Sequence, residues 1–252
     1  MACRNRRQSN RQQRTAGLYC VTMSDRLDLD LLRRSLMLHS LPQAELERVA
    51  AMMRPRRYRR GAPVCHLDDP GEELHLVVRG RLKVVVPGET GEEAVLTIVG
   101  PGDLFGEMSL LDGGPRSATV IPLEPVETYA LRRHDFLQLL RSNPDAVESV
   151  LRALAQTIRR LSDQVTALMF LDLRGRLAKK LLELAAKHGR DAPGGVELEI
   201  ELTQEDLAGM VGATRPRVNN ALGFFEDRGA IARRGRRLVI RDAGLLQHWV
   251  VE

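Results

Sequence analysis

Phe105-Gly106-Glu107-Met108-Ser109 and, a short way on, Pro115-Arg116-Ser117-Ala118-Thr119 are the two stretches on which this chain turns. Arg116 follows nine residues after Glu107. A planar guanidinium donates two parallel hydrogen bonds in a fixed fork, which suits a phosphate. An ionised carboxylate only accepts, which suits a sugar hydroxyl. Glycine lets backbone N–H groups approach an anion closely. A lone Gly-Glu or Arg-Ser pair is an ordinary turn or surface ion pair. The two halves together form a grip for a ribose phosphate.

Working outward, residues 73–86 read ELHLVVRGRLKVVV, two β-rich runs broken at Gly80. Residues 95–99 form another apolar run, ended by Gly100-Pro101-Gly102-Asp103. Residues 117–130 continue in strand-like pieces, with breaks at Pro122 and Pro125. Short strands punctuated by Gly and Pro predict a sandwich or small barrel. The grip lies in the long break between two such strands, where a rigid scaffold carries binding groups.

These residues resemble the phosphate-binding cassette of cyclic-nucleotide-binding domains. Residues 31–240 as a whole resemble the CRP/FNR family of bacterial transcription regulators. The resemblance implies that Glu107 binds the ribose 2′-hydroxyl and that Arg116 and Ser117 bind the cyclic phosphate. It adds backbone from Gly106 and Met108, with Ser109 at the next cassette position.

Composition sets limits. No apolar run approaches the roughly 18–20 residues of a membrane helix, and Arg6-Arg7 are not followed by an export signal's apolar stretch. Neither a membrane partner nor secretion is expected. Cys3, Cys20 and Cys65 have no metal-ligand spacing and fit a reducing cytoplasm. The cluster-binding cysteines of oxygen sensors in the family are missing, and no metal is expected. The net charge of +5 comes from Arg4, Arg6, Arg7, Arg11 and Arg14; without them, 33 basic residues face 33 acidic ones. The composition of this stretch predicts a disordered tail, one that adds nonspecific DNA attraction. Met23 offers an alternative start just before the family-like part. In the remainder, residues 173–252 carry 14 basic and 11 acidic residues, so the excess lies at the C-terminal end.

Asn143-Pro144-Asp145 predicts a helix start, with Asn143 as N-cap and Pro144 in the first turn. Val147, Leu151, Leu154, Ile158, Leu161, Val165 and Leu168 then recur at alternating spacings of four and three. This is an a/d seam, which predicts a partner helix and hence a homodimer. A helix packed on its own domain is the alternative. The family dimerises through such a helix. In its cyclic-AMP-responsive members a Thr-Ser pair on this helix meets the adenine, one residue from each subunit. Ungapped counting from Phe170-Leu171-Asp172 places Leu161-Ser162 there. Ser162 matches. Leu161 cannot hydrogen-bond a base, although it can cap one by apolar contact.

Residues 173–188 predict an amphipathic helix closed by Gly189, and residues 196–202 alternate like a strand. Thr203-Gln204-Glu205-Asp206 reads as a capping box. Gly212-Ala213 makes a turn, and Thr214 starts a second helix over residues 215–225. Two helices joined by a short Gly-containing turn form a helix-turn-helix. The second helix presents Arg215, Arg217, Asn219 and Asn220, while Val218, Leu222 and Phe225 face a core. Arg suits guanine and Asn suits adenine in the major groove. Residues 231–240 read as a wing hairpin whose tip, Arg233-Arg234-Gly235-Arg236-Arg237, suits phosphates. The family's recognition helix commonly reads Ser-Arg-Glu-Thr-Val with a further Arg two residues on. Here Arg215 matches its base-reading Arg, but Pro216 replaces the Glu and Asn220 the second Arg. A different DNA sequence is therefore expected.

The expectation is an α+β protein, and not an enzyme: no phosphate loop or metal cluster is present, and its six histidines are scattered. Residues 1–24 form the tail, 25–142 a jelly-roll-like cyclic-nucleotide-binding β-roll, 143–171 a dimerisation helix, and 172–252 a winged helix-turn-helix. The expected ligand is cAMP, bound by Gly106, Glu107, Met108, Ser109, Arg116, Ser117, Leu161 and Ser162. The expected DNA surface is Thr203, Gln204, Thr214, Arg215, Arg217, Asn219, Asn220, Arg234 and Arg236, on double-stranded, pseudo-palindromic DNA. The resemblance adds RNA polymerase as a partner, and residues 170–175 are the expected hinge. A DNA-binding regulator of the same fold that is ligand-independent or senses a different ligand is the alternative.

Overall fold

A computed structural model of the chain describes residues 27–89, 91–235 and 237–251. The tail arginines, Cys3, Cys20 and Arg236 lie outside them. The first half opens with helices α1 (Leu29–Arg34) and α2 (Gln43–Met52). Strands β1 (Arg54–Tyr58), β2 (Glu73–Arg79), β3 (Leu82–Pro87), β4 (Glu93–Val99) and β5 (Leu104–Phe105) follow. Helix α3 (Glu107–Asp112) leads to β6 (Thr119–Pro122) and β7 (Val126–Arg132). The strands form two antiparallel sheets, in orders β1-β7-β2-β5 and β4-β3-β6.

Strand β2 shows how the layers form. Side chains alternate across a strand, so Leu74 and Leu76 join the helices' core while Val77 turns inward. That inner core combines Val77, Leu82, Val99, Phe105, Val120 and Val126 from both sheets. Strand β1, which sequence reading did not predict, is an edge strand of the sequence RPRRY. Its arginines are matched by neighbours: Arg56 to Glu73 at 2.7 Å and Arg57 to Glu127 at 3.1 Å.

Helices α4 (Arg133–Ser142) and α5 (Pro144–Phe170) come next. Asn143 caps α5 by accepting from the N–H of Ala146, as its sequence predicts. Ala146, Val150 and Ala153 bury one face of α5 on the β-roll. The seam lies on another face. Leu151 is 60% exposed, Ile158 63%, Val165 55% and Leu168 53%. Leu154 of the seam is half-buried and also packs against the β-roll core of its own chain. No helix among the described residues is long and apolar enough to cross a membrane.

The second half contains α6 (Leu173–His188), β8 (Gly189–Ala192), β9 (Gly195–Leu198), α7 (Gln204–Val211) and α8 (Arg215–Asp227). It ends with β10 (Ile231–Arg234), β11 (Arg237–Ile240) and α9 (Ala243–Val251). The strands pair in the order β10-β11-β9-β8. Leu177, Leu181, Leu207, Val218, Leu222 and Phe225 form its core, and Ile98 of β4 reaches into it. The halves are in close contact. A Cβ added at Gly209 of α7 would lie 2.3 Å from the carbonyl of Glu93, so only glycine fits there.

Candidate functional site

The β5–α3 junction and the approach to β6 bring the grip together. Gly106 has φ +87°, a left-handed conformation that glycine adopts without strain. The close approach at this turn needs glycine too: an added Cβ would sit 2.3 Å from Arg116 Nη1. Arg116 is buried, 6% exposed. It donates from Nη1 to the carbonyl of Gly106 (3.0 Å) and from Nη2 to that of Glu73 (2.7 Å). Its Nε has no hydrogen-bond partner. Ser109 is buried and donates to the carbonyl of Pro115 at 3.0 Å, tying the two stretches together. Ser117 is exposed and points its hydroxyl at Met108 Sδ, 3.6 Å away.

Glu107 holds its proton more tightly than an ordinary glutamate. Burial raises its pKa; backbone hydrogen bonds and the Arg116 and Arg160 charges partly offset that rise. Beneath the grip, His75 stacks on Phe105 with ring centroids 4.9 Å apart, and its Nδ1 lies 3.2 Å from Thr128 Oγ1. Burial, with Arg116 and Arg56 nearby, lowers the His75 pKa to about 3, so it is a neutral support.

Gly106, Glu107, Met108, Ser109, Arg116 and Ser117 all line one cavity of about 310 Å³. Leu161 of α5 lines it as well. Ser162 is exposed and is not among the residues lining the cavity of its own chain. Sequence reading missed other lining residues. Ala153, Thr157 and Arg160 share one face of α5 with Leu161, a repeat of four and three that the helical period could have revealed. Arg160 donates from Nη1 to Thr97 Oγ1 at 2.8 Å, closing the far side. Lys187 also lines the cavity, and no local pattern announces it.

The second surface is built on α7 and α8. Thr203 accepts from the N–H of Asp206 (3.0 Å) and donates to its carboxylate (2.7 Å), so its hydroxyl is committed to the capping box. Gly212 ends α7 in the left-handed region. Thr214 is the N-cap residue of α8, but its side chain makes no cap hydrogen bond. Thr214, Arg215, Arg217, Asn219 and Asn220 are exposed, whereas Val218, Leu222 and Phe225 are buried. Gln204 donates to Asn219 Oδ1 at 2.8 Å and accepts from Arg215 Nε at 3.5 Å. Arg233 of the wing also reaches Asn219, at 3.3 Å, and pairs with Glu226. It is a member of this polar network that the expected DNA surface lacks. Arg234 is exposed and anchored to the carbonyl of Pro193 at 2.9 Å. An exposed Arg/Asn face of a helix, with a basic hairpin beside it, can enter a major groove and hold the adjacent backbone.

Sequence comparison finds a family match in each half of the chain. Residues 55–143 match the cyclic nucleotide-binding domain family, and residues 175–249 match the Crp-like helix-turn-helix domain family. The CRP-like cAMP-activated global transcriptional regulator of Mycobacterium tuberculosis is 33% identical over 214 residues, 85% of this chain and 96% of that protein. The cyclic AMP receptor protein of Thermus thermophilus is 31% identical over 216 residues, 86% of this chain and 97% of that protein. Among solved structures, FixK2 from Bradyrhizobium japonicum superposes with a TM-score of 0.70 at 20% identity, covering 78% of this chain and 96% of that one. That last likeness is one of fold.

Proposed function

The chain belongs to the CRP/FNR family of DNA-binding transcription regulators, and we propose that it is a homodimer controlled by cyclic AMP. It has a cyclic nucleotide-binding domain and a Crp-like helix-turn-helix, and it is a regulator, not an enzyme. One observation carries the ligand part of the proposal. Arg116 is a buried cation whose hydrogen bonds go only to main-chain carbonyls and whose Nε has no partner. A buried charge that makes no ion pair is costly. An anion in the cavity would pair with it directly, with Glu107 alongside to take a sugar hydroxyl. The names of the relatives point to cyclic AMP.

In this reading Glu107 binds the ribose, Arg116 and Ser117 bind the cyclic phosphate, and Leu161 covers the base. Ser162 would act from the partner subunit. The exposed seam of α5 supports the dimer, since contiguous apolar patches on soluble proteins mark interaction sites. Two α8 helices would then read half-sites one DNA turn, ~34 Å, apart in a pseudo-palindrome. Arg215, Arg217, Asn219 and Asn220 would meet bases, and Arg234 a phosphate. RNA polymerase is the further partner that family membership suggests.

Leu161 favours a second reading, in which the same regulator senses another ligand, because a leucine offers adenine no hydrogen bond. Calorimetric titration of the purified chain with cyclic AMP, cyclic GMP and a cyclic dinucleotide decides between them. The proposal expects cyclic AMP to bind and to tighten binding to an operator selected from random DNA. If the chain takes up another nucleotide in preference, the second reading holds. If it takes up none, ligand control is lost from both.

A further inference from the structure

Helix α6 belongs to the DNA-reading half, yet its last turn lies on the β-roll. Lys187 Nζ donates to Asp103 Oδ2 at 2.8 Å and to the carbonyl of Ile98 at 3.2 Å. The same Asp103 oxygen accepts from the N–H of Gly100 at 2.9 Å. Two main-chain bonds fix this turn to β2: Gly102 N–H to the Val77 carbonyl (2.9 Å) and Val77 N–H to the Asp103 carbonyl (3.0 Å). The chain then runs directly from Asp103 through β5 to Gly106 and Glu107. Among the described residues, Lys187 is the one lining residue of the cavity that lies beyond α5.

Lys187 is therefore connected to the grip in two ways. It is tied to the turn that leads into Gly106-Glu107, and its own side chain lines the cavity. A ligand shifts a conformational equilibrium only through an interaction that differs between the two arrangements. A monoanion in this cavity would meet the Lys187 side chain only while α6 is docked here. In this docked arrangement Arg215, Arg217, Asn219 and Asn220 are exposed.

We propose that Lys187 is the positioning residue through which an anion in the β-roll cavity holds the DNA-reading half, acting by way of Asp103 and the turn 100–103. The inference rests on the cyclic-nucleotide reading above. It adds to the expected hinge a charged connection between the cavity and the DNA-reading half, made by an ion pair 84 residues apart in sequence.

The experiment measures operator affinity of the full chain by fluorescence anisotropy, with and without saturating cyclic AMP. The ratio of the two dissociation constants is the coupling factor. Lys187→Met is expected to reduce that factor by about fivefold or more, the lower end of typical allosteric coupling. Lys187→Arg retains it, because a cation still meets Asp103. A merely structural role would lower the melting temperature and leave the ratio unchanged. Should Lys187→Met fold poorly, Asp103→Asn is expected to give the same loss of coupling. A folded Lys187→Met or Asp103→Asn chain with the wild-type ratio overturns the inference. A wild-type chain with no response to cyclic AMP overturns the functional reading and this inference together, so the wild type alone tells the two failures apart.

Discussion

Lys83 of β3 and Asp206 of α7 form an ion pair 2.9 Å long between the β-roll and the first helix of the DNA reader. Both side chains are largely buried, 16% and 6% exposed. Asp206 also holds the Thr203 N–H and hydroxyl in the capping box, and Lys83 also meets Glu93 at 2.6 Å. The charges sustain each other. Burial would raise the Asp206 pKa, but hydrogen bonds from Lys83 and Thr203 bring it below the ordinary value. Burial would lower that of Lys83, but bonds to Glu93 and Asp206 raise it.

Removing one partner leaves a buried charge. Lys83→Met is expected to destabilise the chain by about 3 kcal/mol, the lower end of the range for breaking a buried pair. The double variant Lys83→Met/Asp206→Asn is expected to recover part of that loss. Urea unfolding checks both, and equal stability of Lys83→Met and wild type would show that the pair is solvated.

The grip depends on one guanidinium. Arg116→Ala is expected to weaken cyclic AMP binding by about a hundredfold or more, since charge-assisted bonds to phosphate are among the strongest available to a side chain. Gly106→Ala is expected to weaken it too, because the new Cβ collides with Arg116. Calorimetry measures both, and unchanged affinity in Arg116→Ala would sink the cassette assignment.

The seam predicts a change of oligomeric state. Leu151→Lys/Ile158→Lys is expected to convert a dimer to a monomer by analytical ultracentrifugation. Both side chains are mostly exposed in one chain, so each substitution is expected to change a monomer's stability by only about 0.5 kcal/mol. A double variant that remains dimeric places the interface elsewhere.

Reading and gripping DNA should separate by mutation. Arg215→Ala is expected to cost about 1–3 kcal/mol on the operator and to relax specificity at one position. Arg234→Ala is expected to weaken all sequences alike and to reduce the salt slope by about 1. Anisotropy at several salt concentrations distinguishes the two. If Arg215→Ala keeps its preference for operator over random DNA, Arg215 does not read bases.

Acid should weaken the fold through buried histidines. Burial lowers the His75 pKa to about 3 and, with Lys187 and Arg81 nearby, that of His188 to about 4. The unfolded chain takes up protons from about pH 6.5 downward and the folded chain does not. Stability therefore falls as pH drops from 6.5 toward 4, by about 2 kcal/mol per histidine at pH 5 relative to pH 8. His75→Gln and His188→Gln should each flatten that slope in thermal melts recorded from pH 8 to 5.

The grip, the strand runs around it, the capped α5 with its apolar seam and the helix-turn-helix were all legible in the sequence. Each is set by local chemistry: an N-cap, a glycine turn, a period of two or of three and four. Residues that must lie within ten or so of one another in the chain carry such signals themselves. Strand β1 lacked one, because RPRRY looks like a solvated run until Glu73 and Glu127 are placed beside it. Leu154 fits the seam by spacing, and its packing against the β-roll is visible only in the tertiary structure.

The sequence by itself therefore determined which kinds of surface this chain carries: a Glu/Arg pair on a glycine turn, an apolar seam on α5 and a helix-turn-helix. Only the tertiary structure decided how they are joined. Arg160 and Lys187 enter the cavity, Lys83 finds Asp206, and Gly209 seats α7 against Glu93. These pairs lie tens to more than a hundred residues apart in the chain. Their contacts depend on how sheets and helices stack, and local periodicity holds no information about which face meets which.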